Sequence, residues 1–114
     1  MNDCIFCKIV NGDIPSEIVY EDDAVIVFKD INPQAPVHVL VIPRKHIPTI
    51  YDLKGEDYNL VGHIFQVVNK LVDKFGLEKD GFRVVTNCRE RAGQSVFHIH
   101  FHLLGGRDLE WPPG

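Results

Sequence analysis

Apolar and polar residues alternate along positions 96–104, Val-Phe-His-Ile-His-Phe-His-Leu-Leu. Side chains of a β-strand point to opposite faces with period two. The pattern therefore predicts a strand over 96–104, with His98, His100 and His102 on one face and Phe97, Ile99, Phe101 and Leu103 on the other. Same-face neighbours sit roughly 7 Å apart, which would set the imidazoles in a row about 13 Å long. The apolar row calls for a core, and the imidazole row for a polar cleft or a metal. Neither reading is settled by the His-x-His spacing, since neutral imidazoles serve as bases, nucleophiles and ligands.

The rest of the chain is patterned as clearly. Residues 4–10 fit a short helix capped by Asp3, with Gly12 just past its end. Residues 17–20 and 24–28 read as a hairpin around Glu21-Asp22-Asp23. The prolines of 30–36 mark a loop. A third strand over 37–42, stopped by Pro43, is apolar on both sides and so is covered on both. Leu60, Ile64, Val67, Val68, Leu71, Val72 and Phe75 recur at helical spacing. They predict one long helix from 54 or 56 to 75, ended by Gly76. A fourth strand at 82–86, a polar loop at 87–95 and the histidine strand complete the series. Short connections make consecutive strands antiparallel neighbours. The expectation is an α+β domain: a five-stranded, mainly antiparallel sheet with one long and one short helix.

Composition narrows the partners. The 114 residues suit one domain, and an apolar fraction of 45% is ordinary for a globular core. A net charge of −4 with no basic block argues against a nucleic-acid polymer but leaves room for a mononucleotide. No apolar run is long enough to span a membrane. Met1-Asn2-Asp3 begins no secretion signal, and three cysteines make no disulfide framework, so a cytoplasmic setting is expected.

Chemistry at phosphorus needs a nucleophile, donors for the equatorial oxygens and a hold on the leaving group. His100 is central in its row. His102 and His38 are candidate phosphate contacts. Gly93 lets backbone approach a ligand, and Asn87, Gln94 and Ser95 add amides and a hydroxyl. Asp30, at a strand-to-loop edge, suits either a turn cap or a pair of ribose hydroxyls. Cys4-x-x-Cys7 alone is compatible with a redox pair, half a zinc site or two buried thiols.

His98-Ile-His100-Phe-His102-Leu-Leu resembles the signature of the histidine triad family, His-φ-His-φ-His-φ-φ. The segment 30–43 resembles that family's ribose-side segment, and 92–96 its phosphate loop. Gly105-Gly106-Arg107 through Trp111-Pro112-Pro113-Gly114 resembles the tail of its HINT branch. The resemblance implies a purine nucleoside phosphoramidate hydrolase. His100 would attack the α-phosphorus, a nucleotidyl-histidine would form, and water would release the nucleoside monophosphate. His102 and Asn87 would hold the phosphate with His38 nearby, Ser95 would contact the leaving group, and Asp30 would hold the ribose. Phe6, Ile9, Phe28, Ile31 and Leu40 would enclose the base. The resemblance further implies a structural zinc on Cys4, Cys7, His46 and His98, and a homodimer whose sheets join edge to edge into ten strands. The loop Cys88-Arg89-Glu90-Arg91 carries more positive charge than eukaryotic HINT proteins have there; it is expected to be a solvated loop, the alternative being that its arginines favour a more anionic leaving group. Alternatives are a dinucleoside polyphosphate hydrolase, a nucleotide-binding regulator or scaffold with incidental turnover, and a hydrolase whose three triad histidines hold a catalytic metal.

Overall fold

A computed structural model describes residues 3–114. Met1 and Asn2, on which the expectation of no secretion signal partly rests, lie outside the described residues. The elements are α1 (Ile5–Val10), β1 (Ile18–Glu21), β2 (Val25–Lys29), β3 (Val37–Pro43), α2 (Asp57–Phe75), β4 (Phe82–Val85) and β5 (Phe101–Gly105). The five strands form one antiparallel sheet in the order β1-β2-β3-β5-β4. This is the expected α+β arrangement.

Both faces of the sheet are covered, as the doubly apolar β3 requires. Val39 and Val41 join Val25, Val27, Phe101 and Leu103 against α2, which buries Ile64, Val67, Val68, Leu71 and Val72. Fully burying one such aliphatic side chain is worth roughly 1.5–3 kcal/mol over leaving it in water. Leu40 and Ile42 point the other way, with Ile26 and Phe28, and pack on Phe6 of α1. Gly76 ends α2 in the left-handed region at φ 68°, and the Leu77 amide returns to the Val72 carbonyl at 3.0 Å.

Two local expectations are corrected. The cap of α1 is Cys4, not Asp3: the Cys4 Sγ accepts the Cys7 amide at 3.3 Å. The histidine strand is shorter than its alternation suggests, because only 101–105 pair. The β3–β5 register stops at Val41 opposite Phe101. Beyond it β3 offers Ile42 and then Pro43, which has no N–H to donate. Residues 96–100 instead run past the irregular 44–49 segment, where the Ile99 amide reaches the Ile47 carbonyl at 2.6 Å. His98 and His100 thus precede the strand, and only His102 lies within it. The straight row of three rings is not formed.

Candidate active site and metal cluster

The bend before β5 divides the histidines between two clusters. His98 is completely buried, at 0% exposure. Its Nε2 lies 2.8 Å from the Pro43 carbonyl. A carbonyl only accepts, so Nε2 carries the proton and Nδ1 a lone pair. That lone pair faces Cys4 Sγ at 3.5 Å, Cys7 Sγ at 3.4 Å and His46 Nδ1 at 3.2 Å. Cys7 Sγ and His46 Nδ1 are themselves 3.2 Å apart. Four donor atoms converging this way could hold a metal ion. Their spacing also suits a small tetrahedral ion, whose mixed sulfur and nitrogen ligands stand roughly 3.3–3.8 Å apart. Burial raises the Cys4 thiol pKa above its ordinary value, a bias toward the protonated form that a bound cation would reverse.

His100 turns the opposite way along the chain. Its Nδ1 lies 2.8 Å from the His98 carbonyl, so Nδ1 holds the proton and Nε2 the lone pair. The Thr86 hydroxyl donates to the His100 carbonyl at 2.9 Å and holds that peptide in place. The ring stands edge-on to Phe6, with centroids 5.1 Å apart. His102 stands 5.1 Å from His100, ring to ring, and its Nδ1 meets His38 Nε2 at 2.9 Å. Burial is the main reason that His38, His98, His100 and His102 all have pKa values below the ordinary imidazole range. His102 falls furthest, to about 4, because the neighbouring His100 and His38 add to the penalty of burial. All four rings are therefore neutral near pH 7.

His100 and His102 border a cleft of about 400 Å³, within the size range of small-molecule sites. Phe6, Ile9, Phe28, Ile31 and Leu40 line its apolar part, and Asp30 and Ser95 its polar edge. Asp30 caps its turn, with Oδ1 accepting the Asn32 amide at 2.8 Å, while Oδ2 lies 3.3 Å from His38 Nε2. Phe6, Phe28 and Leu40 also belong to the core beneath α1. Ile31, at 99% exposure, belongs to no core.

Other expected residues stand back from the cleft. His38 lies behind His102. Gln94 is buried and spends its amide on backbone, accepting from the Arg89 amide and donating to the Pro48 and Val96 carbonyls. Gly93, at φ 102°, sits where a Cβ would lie 3.6 Å from the Asn87 side chain. Arg89 places its guanidinium over the Tyr51 ring at 5.2 Å, and both loop arginines are exposed. The connector Ile14-Pro15-Ser16 also lines the cleft. Its sequence signalled only a chain break. A further pair missed in the sequence lies away from the site. His63 pairs with Asp22 at 2.7 Å. Burial alone would raise the Asp22 pKa, but the Ala24 and Val25 amides, His63 and Tyr20 together hold it well below the carboxylate range.

A metal shared by the three triad histidines is not what this arrangement supports, since the His98 Nδ1 faces Cys4, Cys7 and His46 and not His100 or His102. Among the described residues no helix is long and apolar enough to cross a membrane.

Known proteins resemble this chain along nearly its whole length. Residues 3–109 match the profile of a family described as scavenger mRNA decapping enzyme, C-terminal binding. An uncharacterised HIT-like protein of Synechocystis is 49% identical over 98% of this chain and 97% of its own. The purine nucleoside phosphoramidase of Escherichia coli K12 is 48% identical over 92% of this chain and 88% of its own. Among solved structures, a HIT family hydrolase from Legionella pneumophila superposes with a TM-score of 0.96 at 49% identity, covering 98% of this chain and 100% of that one. A histidine triad protein from Clostridium difficile gives 0.92 at 48% identity, with 96% of each chain covered. With signature, fold and relatives in agreement, this chain belongs to the histidine triad family.

Proposed function

We propose that the protein hydrolyses purine nucleoside phosphoramidates through a covalent nucleotidyl-His100. The observation that carries this reading is the 2.8 Å contact from His100 Nδ1 to the His98 carbonyl. It leaves a neutral Nε2 lone pair on a ring that borders the cleft, ready to attack without prior deprotonation. In the first step Nε2 bonds to the α-phosphorus, the P–N bond breaks, and the amine leaves with a proton taken from solvent, which the attacking water returns in the second step. In the second, water displaces His100 and releases the nucleoside monophosphate. His102, with Nδ1 engaged by His38, presents Nε2–H to a phosphate oxygen. Asn87, Gly93 and Gln94 shape the phosphate loop, with Ser95 at the leaving-group side. Asp30 receives the ribose hydroxyls. Phe6, Ile9, Phe28, Ile31 and Leu40 take the base. The 48% identity to a purine nucleoside phosphoramidase supports the substrate class.

The same reading places zinc on Cys4, Cys7, His46 and His98, where its chemistry is structural: it ties α1 to the segment before β5. It also places two copies edge to edge in a ten-stranded sheet, and β4 ends the sheet on one side. Acid-quenched mass spectrometry with adenosine 5′-phosphoramidate tests the chemistry. The expected result is a transient adduct of nucleotide mass that is absent from His100→Ala. Turnover with no adduct, abolished by chelator, would replace this mechanism by metal-activated water. Metal analysis of protein purified without chelator is expected to give about one zinc per chain.

A further inference from the structure

Asp30, His38 and His102 converge behind the phosphate side of the cleft, close enough together for one ion to reach all three. The protons assign them a different task. The Gln34 amide donates to His38 Nδ1 at 3.0 Å. A backbone N–H only donates, so Nδ1 carries the lone pair and Nε2 the proton. A ring with Nε2–H turned toward its neighbours is a donor, not a ligand. That single hydrogen faces two acceptors: His102 Nδ1 at 2.9 Å and Asp30 Oδ2 at 3.3 Å.

The two acceptors compete. A carboxylate draws a hydrogen bond more strongly than a neutral imidazole, so Asp30 weakens what His38 gives to His102. In the function proposed above, on which this inference rests, the ribose hydroxyls donate to Asp30. A carboxylate that has accepted two hydroxyls has less draw left for His38. The hydrogen on His38 Nε2 then turns fully to His102 Nδ1. Hydrogen bonds in a chain polarise one another, so His102 Nε2–H becomes a stronger donor toward the phosphate. No bond to hydrogen breaks in this sequence; only the sharing of one hydrogen changes.

We propose that His38 is a positioning residue that couples the ribose to the phosphate, so that hydroxyls bound at Asp30 strengthen the hydrogen bond His102 makes at the reacting group. The sugar then accelerates the chemical step as well as binding. Arg107 supports the device from the tail, since its Nε donates to the Gln34 carbonyl at 2.8 Å and steadies the loop that supplies the controlling amide.

The test compares adenosine 5′-phosphoramidate with its 2′,3′-dideoxy analogue under single-turnover conditions. In the wild-type protein, loss of the hydroxyls is expected to slow the saturated rate about tenfold, the scale of one hydrogen bond to a charged group, besides weakening binding. In His38→Phe the two substrates should differ in binding alone. His38→Gln, which restores a donor near the Nε2 position, should recover part of the rate difference. Equal rate ratios in wild type and His38→Phe would overturn the coupling. The second measurement needs no variant: ¹⁵N spectra of the His102 ring in wild-type protein saturated with AMP or 2′,3′-dideoxy-AMP. A ring shift with AMP that the dideoxy compound fails to produce supports the coupling. Identical shifts with both bound overturn it and leave the hydrolytic reading standing. Failure of AMP to bind at all overturns both.

Discussion

His98 and His102 are the outer members of one motif, yet the protein uses opposite nitrogens of the two. His98 donates from Nε2 to the Pro43 carbonyl and turns Nδ1 to two thiols and an imidazole. His102 has Nδ1 engaged by His38 and remains at the cleft. The difference lies not in spacing but in which neighbour supplies an acceptor and which a donor. A carbonyl beside one ring nitrogen frees the other as a ligand. An N–H beside it leaves the other as a donor.

Four predictions probe that contrast. The largest effect belongs to the ring between the two. His100→Ala should lower turnover roughly 10³-fold or more while the protein stays folded, read by steady-state assay and thermal melting. Near wild-type turnover would remove the nucleophile from this account. On the His98 side, Cys7→Ser or exhaustive chelation should lower the melting temperature by about 10 °C or more and abolish stoichiometric metal. Unchanged melting after verified metal loss would show that the cluster holds nothing together. On the His102 side the effect depends on pH. The unfolded imidazole titrates near pH 6.5, whereas in the fold His102 is held at about 4. Between these values the unfolded chain binds more protons, so stability is complete above pH 6.5 and is lost as pH falls toward 4. Urea midpoints should decline across that window, and less steeply in His102→Gln. A midpoint that rises on acidification would contradict the buried neutral ring. Smallest is Ile31→Ala. Its side chain is fully exposed, so melting should not move, while KM for a purine substrate rises severalfold. An unchanged KM would take Ile31 out of the base site.

The repeating parts of the fold were legible in the sequence for a plain reason: periodicity reports which face of an element is buried. The apolar stripe from Leu60 to Phe75 gave α2 almost to the residue, and the two-sided β3 announced cover on both faces. Alternation misled at Phe97 to His100, because it records the direction of side chains and not whether backbone finds a partner. The partner runs out at Pro43, which only the folded register reveals. Asp3 lost the cap of α1 to Cys4, since a thiol can accept an amide as well as face the side chains of His98 and Cys7. The four residues of that cluster come from three separate segments, and their convergence followed from family resemblance, not from spacing. The Gln34 amide and the Thr86 hydroxyl left no trace in the sequence at all. Their contribution is a backbone donor in one case and a bond to a backbone acceptor in the other, and the identity of a side chain says little about either.

One peptide group joins the two centres. The ring of His98 lies among the thiols, while its carbonyl, a few bonds away, fixes the proton on His100. A shift of that ring would tilt the carbonyl, and with it the direction of the His100 lone pair that faces the cleft. Variation at Cys4, Cys7 or His46 is therefore expected to reach catalysis without touching substrate, and selection on the two centres cannot proceed separately.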